Sequence, residues 1–142
     1  MRFQFNDGGR SAAGYEGKTG DCATRAIAIV TGLPYQKIYD EVNKLCAEQK
    51  IGKRMRSKGS ARTGVYHMTG LKRYLDSLGL KWTATMGIGS GCKVHLKDGE
   101  LPMGRLLARV SKHYVAVIDG VINDTHDCSR QGMRCVYGYY SL

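Results

Sequence analysis

Proline, long apolar runs and acidic residues are all scarce in this sequence. Two prolines in 142 residues leave few positions at which a helix or strand is forced to break. No run of about 18 apolar residues occurs, which excludes an ordinary membrane-spanning helix. The stretch MRFQFNDGGR at the start contains no apolar segment of the kind a signal peptide needs. We therefore expect a cytoplasmic protein without a membrane partner.

Acidic residues are outnumbered by basic ones, with 12 Asp and Glu against 22 Lys and Arg and a net charge of +10. Much of the excess lies within residues 50–64, which we define as the basic loop. Its cations are Lys50, Lys53, Arg54, Arg56, Lys58 and Arg62. Three interpretations stay open: a solvated surface loop, a weak nucleic-acid contact through phosphates, and a charged rim that steers acidic substrates.

Cysteine is present five times, at Cys22, Cys46, Cys92, Cys128 and Cys135. In a cytoplasmic protein we expect thiols rather than disulfides. A zinc site is the competing interpretation, because three of these cysteines and two histidines supply enough ligands for tetrahedral coordination. That set is Cys92, His95, His126, Cys128 and Cys135. It contains no CxxC pair and no regular spacing, so we predict neither a metal site nor a cofactor.

Helical periodicity marks the first half of the chain. One helix is predicted from Asp21, as its N-cap, to Thr31, with Gly32 ending it. A second begins at Pro34 and a third ends near Gly79. Their apolar stripes are Tyr35, Ile38, Val42 and Leu45 in the second helix, and Met68, Leu71, Leu75 and Leu78 in the third.

Alternating patterns replace the helical ones after Gly79 and predict strands. The strands are expected at 80–86, 92–96, 104–110, 113–118, 121–125 and 135–140. Helices followed by strands indicate one α+β domain over residues 1–142, with N-terminal helices packed on a C-terminal antiparallel sheet. Residues 1–19 are polar and rich in glycine, and we expect them to form a surface segment near Cys22.

The pair Asp119-Gly120, between two β-branched runs, predicts a tight hairpin. A two-residue turn sets Ile118 opposite Val121 and, further along, His113 opposite His126. His113 and Asp124 then lie on one face as diagonal neighbours, roughly 7–8 Å apart at the backbone. An imidazole and a carboxylate at that separation can meet.

Cys22 lies at the predicted start of the first helix, in the sequence GDCATRA. The positive end of a helix lowers the pKa of a thiol, and a nearby imidazole lowers it further. An acid behind the imidazole holds its orientation and stabilises its charged form. We therefore assign Cys22 as a candidate nucleophile, His113 as its base and Asp124 as the orienting acid. The backbone N–H of Cys22 is a candidate oxyanion donor.

This chain order resembles the papain-like cysteine peptidase superfamily, on the segments GDCATRA, SKHYVAVIDG and VINDT. The chain also looks like a small bacteriophage and prophage protein family of no settled activity, on the segments GDCATRAIAIVTGLPY, GSGCKVHL, SKHYVAVIDGVINDT and RCVYGYY. Papain-type enzymes carry a glutamine about six residues before the cysteine as an oxyanion donor. Glu16 stands there and its carboxylate cannot donate. Asn6 is our preferred substitute, with Gln4, the backbone amide of Thr19 and Tyr15 as others.

The resemblance implies a cysteine-dependent hydrolase, a peptidase, amidase or isopeptidase, acting on a peptide, protein or other acyl substrate. An acyltransferase shares the same acyl-enzyme. The alternative is a non-catalytic phage accessory protein that binds nucleic acid or a host protein through the basic loop.

Overall fold

The computed structural model describes residues 1–52, 58–65 and 68–142, which contain three helices and a six-stranded sheet. The helices are α1 (Cys22–Thr31), α2 (Tyr35–Ala47) and α3 (Met68–Ser77). The strands are β1 (Arg2–Phe5), β2 (Lys81–Ala84), β3 (Arg105–Val110), β4 (His113–Ile118), β5 (Val121–Asp124) and β6 (Val136–Ser141). The predicted α+β class is confirmed.

The sheet has the order β1-β5-β4-β3-β6-β2 and is mixed. Four neighbouring pairs are antiparallel, whereas β1 runs parallel to β5 with Arg2 opposite Val121. The prediction of an antiparallel sheet is thus wrong at this edge, and part of the polar segment 1–19 is a strand. All four side chains of β1 are exposed, so the strand lacks the alternation of buried and exposed positions on which prediction depends.

The hairpin between β4 and β5 has the predicted register. Ile118 pairs with Val121, Val117 with Ile122, and Ala116 with Asn123. Asp119 and Gly120 have φ angles of 48° and 78°, the left-handed values that a two-residue type I′ turn requires. This register places His113 and Asp124 on the same face of the sheet.

Helix α1 is buried along almost its whole length, from Ala23 to Val30. It packs against α2 on one side and against β3, β4 and β5 on the other. Alanines at 23, 26 and 28 keep the helix slim, which allows its backbone to approach the sheet closely. Its N-terminal residue, Cys22, is thereby held beside the start of β4.

A second core cluster contains no helical residue and includes Leu96, Leu106, Val115, Val117 and Cys128. The connections β2–β3 and β5–β6 supply Leu96 and Cys128 to it. Where these connections meet, His95 forms a β-bridge with Cys135. Only that bridge remains of the strand predicted at 92–96.

The same two connections are joined by a disulfide between Cys92 and Cys135, whose Cα atoms lie 5.9 Å apart. The expectation of five free thiols is therefore wrong for this pair. Forty-three positions separate the two cysteines, and only the folding of both connections brings them together. Cys22, Cys46 and Cys128 are free thiols.

None of the helices in the described part of the chain has the length and apolar character required to cross a bilayer.

Candidate active site

Cys22 is the first residue of α1 and lines a cavity of about 640 Å³. The side chain is half-buried, so its sulfur is held by the fold and faces the cavity. The first N–H groups of a helix have no intrahelical partner and point outward, which creates a region of positive potential around this thiol.

His113 lines the same cavity and begins β4. Its Nε2 lies 2.7 Å from Oδ2 of Asp124, the last residue of β5. Cys22, His113 and Tyr114 line the same cavity, and the imidazole is close enough to Cys22 to lower the pKa of its thiol. The structure thus brings together the three residues that the sequence singled out.

The electrostatics of the cluster favour a thiolate and an imidazolium. Burial raises the pKa of Cys22, but the hydrogen bond and charge of His113 outweigh it, and the pKa falls below its ordinary value. Burial lowers the pKa of His113, but its bonds to Asp124, Cys128 and Cys22 raise that pKa well above the ordinary range. Burial raises the pKa of Asp124, and His113 with Arg25 more than reverses this.

Asp21, the residue before the thiol, belongs to a buried ionic network. It was predicted to cap α1, but its side chain makes no capping hydrogen bond. Its carboxylate instead pairs with Arg25 and with Nε of Arg10 at 3.1 Å, and accepts a hydrogen bond of 2.7 Å from the hydroxyl of Tyr35. Asp21 is 1% exposed, and three partners compensate the cost of burying its charge.

Cys128 is a component of the site that sequence reasoning missed. It is buried in the second core cluster, and its thiol is close enough to His113 to raise the pKa of the imidazole. The potential ligand atoms of Cys128, His113 and Asp124 lie within 4.8 Å of one another. Cys128 is four positions after Asp124 in a connection without regular structure, so no periodicity in the sequence signals the contact. Burial makes Cys128 a neighbour of the imidazole rather than a nucleophile open to substrate.

The predicted oxyanion donor Asn6 lies elsewhere. It lines a separate cavity with Asn123, and its Nδ2 donates to Oδ1 of Asn123 at 3.2 Å. Glu16 is exposed and lies outside the lining of the Cys22 cavity. Thr19 does line that cavity, and its buried Oγ1 has no hydrogen-bond partner among the described residues. Asn6 therefore lies outside the cavity that Cys22 lines, whereas Thr19, another residue considered for the oxyanion donor, lies within its lining.

The basic loop is described only in part, since Lys53, Arg54 and Arg56 lie outside the described residues. Lys58 Nζ donates to the carbonyl of Ala47 at 3.2 Å, and Arg62 is exposed. The end of the loop reaches the active-site cavity, because Thr63 and Gly64 line it. Thr24 Oγ1 anchors this end to α1 by donating to the carbonyl of Ala61 at 2.9 Å.

The zinc ligands considered from sequence do not form one site. Cys92 and Cys135 are consumed by their disulfide and offer no thiolate. His126 is exposed, and its ring centroid lies 5.4 Å from that of His113. The segment 92–96 is not the predicted strand, and Sγ of Cys92 lies 3.5 Å from Nε2 of His95.

Comparison of this chain with models of protein families, with curated proteins and with solved structures finds no match.

Proposed function

We propose that this protein is a papain-like cysteine hydrolase that cleaves an amide, isopeptide or thioester bond. The observation that carries the proposal is that Cys22 and His113 line the same open cavity while Asp124 lies against the imidazole of His113. Nucleophilic acyl transfer needs a thiol nucleophile, an imidazole base and a carboxylate that orients the base. Here α1 carries the thiol, β4 the imidazole and β5 the carboxylate. The papain-like order of these parts along the chain supports the finer assignment.

The reaction begins when His113 holds the proton of Cys22. The thiolate attacks the substrate carbonyl and forms a carbon–sulfur bond, while the carbonyl oxygen takes the negative charge. The backbone N–H of Cys22 is the donor proposed for that oxyanion. Collapse of the intermediate breaks the scissile bond, and His113 gives its proton to the leaving amine or thiol.

A thioester between Cys22 and the acyl group remains. Water attacks it as His113 removes a proton from the water, a free carboxylic acid leaves, and the proton returns to the Cys22 sulfur. Asp124 keeps the imidazole aligned through both steps by accepting a hydrogen bond from Nε2–H. An amine in place of water gives acyl transfer from the same intermediate.

The first test is the rate at which iodoacetamide labels the three free cysteines near neutral pH, followed by peptide mass spectrometry. Cys22 should react faster than Cys46 and Cys128, because a thiolate is the reactive species and both of those residues are buried. His113→Gln should slow the labelling of Cys22 about tenfold or more, whereas Lys72→Gln, on the exposed face of α3, should not. Equal reactivity at all three cysteines would contradict the proposal.

The second test is turnover of a mixed library of peptidyl aminomethylcoumarin amides. Hydrolysis should be lost in Cys22→Ser, and a Cys22 thioester should be trapped by acid quench of the unmodified protein. The non-catalytic alternative predicts instead a salt-dependent affinity for DNA or RNA that survives Cys22→Ala.

A further inference from the structure

Positive charge dominates the walls of the Cys22 cavity. Among the described residues that line it are three permanent cations, Arg25, Arg109 and Lys112, and no aspartate or glutamate. Arg25 is neutralised within the fold by its ion pairs with Asp21 and Asp124. Arg109 and Lys112 form no ion pair with any carboxylate of the described chain. Two cations therefore face the cavity without an internal counter-ion.

Both cations are held close to the reacting groups by the β3–β4 hairpin. Lys112 is exposed in the two-residue turn and directly precedes His113. Arg109 is half-buried near the end of β3, opposite Tyr114. Burial raises the pKa of Tyr114, while the charge of Arg109 lowers it and that of Cys22 raises it. Tyr114 thus lies within electrostatic reach of both the guanidinium and the thiol.

We propose that this cavity selects an acyl substrate that carries a carboxylate beside the carbonyl attacked by Cys22, as an acidic peptide does. The inference rests on the function proposed above. Unpaired cations in a concave, partly desolvated site attract anions more strongly than they would on an open surface. Tyr137 and Val65 give the remaining wall an apolar character that suits the body of a peptide.

Two alkylating reagents that differ by one charge test the proposal. Iodoacetate and iodoacetamide both form a carbon–sulfur bond with Cys22 and expel iodide, but only iodoacetate bears a carboxylate. The ratio of their rate constants at Cys22, divided by the same ratio for 2-mercaptoethanol, measures the preference for an anion independently of thiolate reactivity. We expect a normalised ratio above one.

The imidazolium of His113 also favours iodoacetate, so variants must isolate the two cations. Lys112→Gln and Arg109→Gln should each lower the ratio by a factor on the order of two to five. Raising the NaCl concentration from 0.05 to 0.5 M should lower it in the unmodified protein and less in the variants. Lys72→Gln removes the same charge from α3, away from the cavity, and should leave the ratio unchanged. Lys112 is exposed, which keeps one variant informative if Arg109→Gln fails to fold.

The outcomes separate this inference from the function on which it rests. If Cys22 reacts rapidly with iodoacetamide but neither variant changes the ratio, the proposed charge preference is wrong and the proposed hydrolase function is not contradicted. If Cys22 reacts no faster than Cys46 with either reagent, both proposals fail. A single-stranded oligonucleotide that protects Cys22 from iodoacetamide, where a glutamate-rich peptide does not, would overturn the assignment to a carboxylate.

Discussion

Arg25, one turn into the helix that Cys22 begins, places its Nη2 3.4 Å from Oδ1 of Asp124. One helix therefore positions the proposed nucleophile and also anchors the acid behind the proposed base. The same guanidinium pairs with Asp21. The two acids and the arginine are 1%, 4% and 8% exposed, so the site is built around a buried cation shared by two buried carboxylates.

Replacing Arg25 should lower the free energy of unfolding substantially. Arg25→Met removes a buried cation from beside Asp21 and Asp124. Arg10 and Tyr35 still contact Asp21, and His113 still contacts Asp124. We therefore expect a loss of about 3 kcal/mol, the lower end of the range for breaking a buried ion pair. Urea denaturation at neutral pH measures the loss in the free energy of unfolding.

Lys37→Met is the matched control, because Lys37 forms an ion pair with Glu41 at the same four-residue spacing on an exposed face of α2. Its loss should be about 0.3–0.5 kcal/mol. Similar losses in the two variants would show that the network around Arg25 does not stabilise the fold.

Most of the regular structure follows from local sequence patterns. The start of α1 at Cys22 and the span of β4 match their predictions, because strong apolar periodicity coincides with explicit turn residues. β1 could not be predicted, since its side chains are all exposed. The disulfide between Cys92 and Cys135 depends on two irregular connections whose paths only the complete fold determines.

Part of the candidate site, like part of the fold, follows from local sequence patterns, and the rest depends on tertiary packing. Asp119-Gly120 fixes the hairpin register, and from it the contact between His113 and Asp124 follows by counting residues. The approach of Cys22 to this pair depends on how α1 packs against the sheet. In the sequence, only the chain order and the family resemblance indicated that approach. Arg25 and Cys128 reach the site through tertiary packing, and no local pattern indicates either contact.

Thiol counting should reveal the disulfide. Alkylation of the denatured protein with iodoacetamide should modify three cysteines without reductant and five after treatment with dithiothreitol. Removing the cross-link in Cys92→Ser/Cys135→Ser should lower the free energy of unfolding by about 2–4 kcal/mol, because the unfolded chain regains the freedom of a long loop. The double variant Cys46→Ser/Cys128→Ser is the control for the replacement itself, because it places two hydroxyls in the core and removes no cross-link. Five reactive thiols without reductant would contradict the pairing.

Gly138 lies in β6 beneath the indole of Trp82. A Cβ at this position would approach the ring to 2.3 Å and the carbonyl oxygen of Thr83 to 2.8 Å. Gly138→Ala should therefore displace Trp82 and destabilise the protein by about 1–3 kcal/mol, with a change in tryptophan fluorescence. Gly87→Ala is the control, since the nearest atom to its Cβ is the Ser90 hydroxyl at 3.8 Å. A stable Gly138→Ala with unchanged fluorescence would show that the strand and the indole can separate without cost.

The labelling of Cys22 should depend on pH in a way that His113 controls. His113 lowers the pKa of the thiol against the effect of burial, so half of the maximal iodoacetamide rate should be reached below the ordinary thiol pKa of about 8.5. In His113→Gln only burial remains of these two effects, and the half-maximal pH should move upward. His95→Gln, at a residue outside the cavity lining that pairs with Glu100, should keep the original profile. An unshifted profile in His113→Gln would show that His113 does not control the ionisation of the Cys22 thiol.

Asp124 should determine the pH above which the His113 imidazolium loses its proton. Its hydrogen bond raises the pKa of His113 even though burial lowers it, so Asp124→Asn should bring that pKa down. NMR titration of the His113 ring should then show proton loss at a lower pH in the variant, while Asp76→Asn, on α3, should titrate as the unmodified protein does. A raised folded pKa adds stability that is complete below about 6.5 and disappears as the pH rises through the folded value. The unmodified protein should consequently keep this contribution to a higher pH than Asp124→Asn, and equal titration of His113 in both would refute the orienting role of the carboxylate.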